Sequence, residues 1–392
     1  MDITLIVVLV IALALFFDFT NGFHDTANAM ATPIATGAMK PKVAVTVAAL
    51  LNLVGAFLST EVAQTISGGI IKEGEDGVLI TPELIFAGLI GAIVWNMFTW
   101  LLGLPSSSSH ALFGGLIGAA LVGFGTGAID FAVVTSKVIL PALLAPLTAG
   151  LIAYLATKIA YAVTRRYDGK PDGRDGFRYA QIFSSSLVAL AHGTNDAQKT
   201  MGVITLTLVA AGTQPAGSEV QWWVIVTCAI AIALGTYMGG WRIIKTLGTG
   251  LTEVKPAQGF AAETATAATI LASSHVGFAL STTQVASGSV IGSGLGRRGS
   301  TVRWGTAGRI GVGWLLTLPA AGAVGAIAAF VALLGPIGII IDTVVGVAVI
   351  LAIFLRSRRD EISHHNVVSD VADSGLAVQI STNPEPKKKV KP

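Results

Sequence analysis

The chain has 392 residues, of which 53% are hydrophobic and only 12% charged, against roughly 25% charged in an ordinary soluble domain. A water-soluble fold has no core large enough for that many apolar side chains, so the composition points to a polytopic, all-α integral membrane protein. The net charge of +3 says little about soluble partners, because the charges sit in separate loops, and the single cysteine, Cys228, excludes an internal disulfide and a Cys-rich metal site.

A crossing helix needs about 20 mostly apolar residues. In chain order the candidate spans are 3–34, 43–66, 82–103, 108–123 and 138–162, followed after a polar break by 180–211, 222–241, 257–280, 284–296, 309–334 and 336–356. They predict about 11 transmembrane spans (about 9 to 13), the shorter ones suited to broken or re-entrant helices. The apolar start, Met1 to Phe17, has no Lys or Arg before it and no small-residue cleavage site, so it reads as part of the first span.

Lys and Arg accumulate in cytoplasmic loops and so orient the chain. Lys40 and Lys42 put the loop after the first span inside and the N-terminus outside. The loop with Glu73, Glu75 and Asp76, the stretch Gly123 to Ser136, and Thr213 to Gln221 carry almost no positive charge and are expected outside. The central break has Arg165, Arg166, Lys170, Arg174 and Arg178, and is expected inside with Arg242, Lys245, Arg297, Arg298, Arg303 and Arg309. Arg356, Arg358 and Arg359 place the last span's end inside too, and Trp222-Trp223 reads as an aromatic belt at the outer surface.

Five spans before the central loop mean that a second copy of the first half begins on the opposite face, the layout of two inverted-topology repeats. The expected plan is a first repeat at 1–163, a cytoplasmic linker at 164–179, a second repeat at 180–334, an extra transmembrane helix at 335–356 and a disordered cytoplasmic tail at 357–392.

Two motifs occur twice. Asn21-Gly22-Phe23-His24-Asp25-Thr26-Ala27-Asn28-Ala29-Met30 is matched by His192-Gly193-Thr194-Asn195-Asp196-Ala197-Gln198-Lys199-Thr200-Met201, with Gly22, Asp25 and Met30 on Gly193, Asp196 and Met201 at one constant offset. Pro105-Ser106-Ser107-Ser108-Ser109-His110, then Gly114 and Gly118, is matched at nearly the same offset by Leu280-Ser281-Thr282-Thr283-Gln284, then Gly288 and Gly292. Order and spacing together indicate duplication.

These residue types suit an anion carrier. Gly22, Gly193 and Pro105 are candidate helix breakers, and backbone freed at membrane depth is tolerated where it lines a cavity. A helix starting at a Ser/Thr cluster offers free N–H groups and the positive end of its dipole to an oxyanion. That assigns substrate contacts to Ser107, Ser108, Ser109, Ser281, Thr282 and Thr283, with Thr26, Asn28 and Asn195 as further pocket residues, capping being the rival role for the asparagines. Intramembrane carboxylates suggest an ion path or proton relay, so Asp25 and Asp196 are expected to bind substrate and coupling ion. His24, His110 and His192 lie in or beside the motifs and permit proton coupling. Lys199 is a buried cation that contacts phosphate, replaces a bound sodium, or pairs with Asp196. Glu61 and Glu263 are expected to pair with Arg242 or Lys245, while Asp18, Asp130 and Asp342 are expected at the membrane interface.

At these residues the chain resembles the inorganic phosphate transporter (Pit, or phosphate permease) family. The hallmark is a duplicated Gly-Ala-Asn-Asp-type motif, each copy followed by a Pro-x-Ser-Thr/Ser-Thr/Ser-His element, and the resemblance covers about residues 10 to 356. Gly239-Gly240-Trp241-Arg242 and Pro256 to Glu263 are similar to family segments as well. His24 stands where the usual first copy has Asn, Lys199 where the second often has Asn, and Gln284 where His is common. Asn21 to Ala29 and Ala191 to Lys199 resemble the bacterial low-affinity branch.

The resemblance implies secondary active import of inorganic phosphate across the cell (plasma) membrane by symport and alternating access. The implied coupling is to protons, with phosphate carried partly as a neutral divalent metal–phosphate complex. The implied partners are phosphate, protons or sodium, that metal, and membrane lipid; no cofactor and no nucleic acid are expected, and a homo-oligomer remains open. Sodium coupling, sulfate as the oxyanion, and a channel are the alternatives. A hydrolase using a serine of 106–109 is disfavoured, because no nucleophile elbow or metal-binding pair accompanies it.

Overall fold

Helix starts follow local chemistry. Proline occupies the first turn of the helices starting at Pro41, Pro82, Pro256 and Pro336, where its missing N–H costs nothing. Ser107 and Ser281 cap the helices they precede, accepting from His110 N and Gln284 N.

The computed structural model describes residues 3–69, 73–74, 77–78, 80–167, 176–278, 280–360, 362–363 and 367. Glu75 and Asp76, most of the expected linker including Lys170 and Arg174, and residues 368–392 of the expected tail lie outside the described residues.

The helices in chain order are α1 (Ile3–Ala35), α2 (Pro41–Gly55), α3 (Glu61–Gly69), α4 (Pro82–Leu101), α5 (Ser108–Phe124), α6 (Phe131–Val134) and α7 (Leu140–Val163). There follow α8 (Gly176–Ala210), α9 (Trp222–Met238), α10 (Trp241–Lys245), α11 (Pro256–His275), α12 (Thr282–Gly296), α13 (Trp304–Ala332) and α14 (Pro336–Ser357). π-helical turns at Thr135–Ile139 and Thr246–Gly250 extend α6 into α7 and prolong α10. Glu73–Gly74 and Gly77–Val78 form one short antiparallel strand pair.

Among the described residues, five stretches are long and apolar enough to cross a membrane: Leu5–Ala35, Pro82–Leu101, Phe131–Val163, Trp304–Ala332 and Pro336–Ser357. α9 with Trp241–Gly250 makes a sixth if that pair, bent by 59°, is one span. The protein is therefore helical and multi-pass, with fewer clear spans than the apolar runs predict. Part of the difference is length: α2, α5 and α12 have 15, 17 and 15 residues, covering about 22–26 Å at 1.5 Å per residue of a hydrocarbon core about 30 Å thick. The run 43–66 is also split, into α2 and α3. Leu147 on α7, Leu315 on α13 and Ile337 on α14 are exposed, as on faces turned to lipid.

Gly22 and Gly193 do not break their helices; α1 and α8 run through them uninterrupted for 33 and 35 residues. They are instead points of close approach. A Cβ on Gly22 would meet the backbone of Ile232 and Thr236 on α9, and one on Gly193 the backbone of Asn52 on α2. The second motif packs the same way: Gly118 of α5 sits against Gly322 of α13, and Gly292 of α12 against Gly150 of α7. Small residues let backbones touch where lipid offers no hydrophobic drive for association. In each case the motif helix of one half packs on a helix from the other half. Pro105, by contrast, does lie in a helix break, between α4 and α5.

Candidate functional site

The close approaches of α1, α8, α2 and α9 bring the two carboxylates of the duplicated motif together. Asp25 and Asp196 are both fully buried, and one hydroxyl, Thr282 Oγ1, reaches both, at 3.3 Å and 3.4 Å. The first turns of α5 and α12 point at the same place: Ser108 Oγ donates to Asp25 Oδ2 at 3.2 Å, and Thr283 Oγ1 to Asp25 Oδ1 at 3.1 Å. Asn28 Nδ2 donates to Thr282 and Thr283 at 3.3 Å and 3.1 Å. Two helix N-termini, each with a positive dipole end and unpaired N–H groups, thus flank one pair of acids.

Three potential cations surround the pair. His24 Nδ1 is 2.6 Å from Asp25 Oδ1. His192 Nε2 lies 3.7 Å from Asp25 Oδ2 and 3.3 Å from Asp196 Oδ2. Lys199 Nζ donates to Asp196 Oδ1 at 2.7 Å, with both side chains fully buried. The ion pair with Asp196, one of the roles left open for Lys199, is present. Asp25, His192 and Asp196 also offer three ligand atoms within 4.8 Å of one another, close enough for a small cation.

Other expected site residues direct their hydrogen bonds elsewhere. Asn195 Nδ2 donates to Ser274 Oγ and the Phe278 carbonyl at 3.0 Å and 3.4 Å, facing α11. Thr26 Oγ1 donates to its own helix at Gly22 O and to Thr236 O on α9. Ser107 and Ser281 act as N-caps, and Ser109 Oγ donates to Leu280 O at 3.0 Å. His110 is buried on the first turn of α5, beside the backbone of Val138.

Several residues were not singled out from sequence. Asn21 Nδ2 donates to Asp196 Oδ2 at 3.2 Å. Asn52 Oδ1 on α2 accepts from His192 Nδ1–H at 3.2 Å, and Asn52 Nδ2 donates to Thr236 Oγ1 at 2.7 Å. Thr99 Oγ1, with Ser106 Oγ of the serine run already noted in the sequence, holds the far side of His24, at 3.4 Å and 3.3 Å from Nε2. The only trace of Asn52 and Thr99 in the sequence is that each is a polar residue inside an apolar run.

Two expectations are corrected. Glu263 pairs with neither Arg242 nor Lys245: Thr32 and Gln181 donate to its Oε1 and Ser184 to its Oε2, an uncharged cradle deep between α1, α8 and α11. Glu61 lies exposed at the start of α3. Asp18 on α1 is fully buried among helices, and Asp342 on α14 is buried as well. Asp130 caps α6 through the N–H groups of Ala132 and Val133.

The sequence model of the phosphate transporter family matches residues 21–325, which contain both motif pairs. The chain belongs to the phosphate transporter family. A Mycobacterium leprae protein named "Probable low-affinity inorganic phosphate transporter" is 56% identical over 92% of this chain and 87% of its own length. A Rhizobium meliloti protein of the same name is 44% identical, over 85% of this chain and 99% of its own length. Among solved structures, one described as "The sodium-dependent phosphate transporter" superposes with a TM-score of 0.74 at 25% identity, covering 84% of this chain and 99% of that chain. The family is one of transporters and not of enzymes, and its apolar helices make this member a multi-pass protein of the cell membrane.

Proposed function

We propose that the protein imports inorganic phosphate by proton-coupled symport, through alternating access of two inverted repeats (1–163 and 180–334) around the Asp25–Asp196 centre. One observation carries the coupling: Lys199 Nζ, at 2.7 Å, already supplies Asp196 with a cation. A tethered ammonium and two imidazoles balance the buried carboxylates, so a metal cation is not needed to neutralise them, and protons can be exchanged with the imidazoles.

Phosphate is the substrate that the hydroxyl clusters suit. Ser108, Thr282 and Thr283 now donate to carboxylates; an arriving phosphate oxygen would take those donors together with the N–H groups of the two helix starts. Unlike sulfate, phosphate at neutral pH has a proton to give Asp25 or Asp196. Phosphate arriving partly as a neutral divalent metal–phosphate complex would bring less negative charge to the acids. Support for the inverted repeats comes from the matched motif order and the crosswise packing of α1 on α9 and α8 on α2.

A second reading is sodium coupling, favoured by the three ligand atoms of Asp25, His192 and Asp196 and by the sodium-dependent solved relative. Labelled-phosphate uptake into liposomes separates the two, under an imposed pH gradient with sodium absent or present, divalent metal varied and sulfate in excess. Proton-driven uptake without sodium, lost in Asp25→Asn and Asp196→Asn, is expected. An absolute sodium requirement would replace the coupling claim, and abolition by sulfate would remove phosphate as the preferred substrate.

A further inference from the structure

Of the three buried carboxylates outside the site among the described residues, Asp342 on α14 has one unpaired oxygen, Oδ2, while Glu263 and Asp18 mark the two extremes. Glu263 has both oxygens satisfied by Thr32, Gln181 and Ser184, as a carboxylate kept for structure should be. Asp18 is fully buried on α1, yet neither of its oxygens has a hydrogen-bond partner. Thr200 is the hydroxyl turned toward the Asp18 carboxyl and the one group placed to donate to it, but the pair falls short of hydrogen-bond geometry. A buried group in that condition calls for an explanation other than packing.

Its position supplies one. Asp18 lies seven residues before Asp25 on the same helix, about 10 Å away at 1.5 Å per residue, on the outer side of the site in the orientation set by Lys40 and Lys42. The titratable and charged groups facing it are His192, Asp196 and Lys199 on α8, and Cys228 on α9. It is thus next to the Lys199–Asp196 pair without touching the hydroxyl clusters of α5 and α12. The duplication does not account for it either: Ala189 stands at the matching place in α8. An unpaired carboxyl group is far cheaper to bury as a neutral acid than as an anion, and intramembrane acids of this kind mark proton routes.

We propose that Asp18 is a proton-carrying residue of the transport cycle: its carboxylate takes a proton from the outer side, travels buried as the neutral acid, and releases that proton on the cytoplasmic side. The O–H bond formed from outer water is the one broken to inner water, so one proton crosses and no other reactant is required. Phosphate is held by the centre at Asp25 and Asp196, and Asp18 couples its passage to the pH gradient. The proposal rests on the proton-symport reading, which the wild-type control tests separately.

The experiment compares wild type, Asp18→Asn, Asp18→Ala and Asp18→Glu in liposomes. Two quantities are read for each: phosphate-for-phosphate exchange at equal pH on both sides, and accumulation driven by an acidic exterior. A pH dye reports proton entry when phosphate is added. Failure of wild type to accumulate phosphate under the pH gradient would remove the symport reading itself. With wild type active, the expected result is that Asp18→Asn and Asp18→Ala keep exchange while accumulation and phosphate-linked proton entry fall to the level of protein-free liposomes, and that Asp18→Glu restores both. Undiminished accumulation in Asp18→Asn or Asp18→Ala overturns the proposal. So does parallel loss of exchange and accumulation in variants that unfold at the wild-type temperature, because that marks a general pocket role. In wild type, a protonated-carboxyl infrared band that is missing from Asp18→Ala is expected, and its presence unchanged in Asp18→Ala also counts against the assignment.

Discussion

Replacing Lys199 by Asn tests whether a side chain does the work of a bound cation. Nζ is 2.7 Å from Asp196 Oδ1 and both residues are fully buried; no other hydrogen bond reaches that oxygen among the described residues. Oδ2 keeps Asn21 and Thr282 and the approach of His192 at 3.3 Å. Removing one partner of a buried pair costs about 3–5 kcal/mol, and the remaining contacts place Lys199→Asn near the lower end, at about 3 kcal/mol. A sodium ion taking the vacated position would return stability by linkage, about 2.7 kcal/mol at 100 times its dissociation constant. The assay is thermal unfolding of the purified protein in sodium chloride against choline chloride. Lys199→Asn should unfold well below wild type in choline and recover much of the difference in sodium, while wild type responds little. The double variant Lys199→Asn, Asp196→Asn should lose less than the two single losses added together, because the orphaned charge is gone. A single variant as stable as wild type in choline, or an equal sodium response in both proteins, would refute the reasoning.

Two further predictions concern the scaffold. Gly118→Ala and Gly292→Ala each push a Cβ into the backbone of the facing helix, at Gly322 and Gly150, and should destabilise by about 1–3 kcal/mol; Gly127→Ala, with nothing within 4 Å of the added atom, is the control that should unfold like wild type. Glu263→Leu strips the acceptor from Thr32, Gln181 and Ser184, at about 1–3 kcal/mol for each buried donor left unpaired. Glu263→Gln, which keeps an acceptor oxygen, should cost much less in the same unfolding measurement, and equal losses would mean that the cradle is not what holds α11 against α1 and α8.

The membrane class, the helical content and the duplicated motifs were legible in the sequence because each is a local property: composition, apolar run length, and identical residues at a repeated spacing. Asp25, Asp196, Ser108, Thr282 and Thr283 could be singled out on the same ground, as polar groups that lipid would not tolerate without a purpose. What the sequence could not show is which side chains meet. Gly22 and Gly193 read as helix breakers because glycine weakens a helix in isolation; packing against α9 and α2 turns the missing Cβ into a docking surface instead.

The same limit explains the other differences. Asn195 sits in the motif beside Asp196, but successive residues on a helix point about 100° apart, so it faces Ser274 on α11 while Asp196 faces α1. Asn52 and Thr99 belong to no motif and enter the site only because α2 and α4 pack against α8 and α1. Asp18 carries no sign in the sequence of what surrounds it, and only the helices packed around it show that it is buried. By itself the sequence determined the kind of protein and the residue types gathered for an anion. The tertiary structure alone decided that one hydroxyl spans both acids and that Asp18 stands buried without a hydrogen bond, since contacts between helices distant in sequence depend on shapes that no single segment encodes.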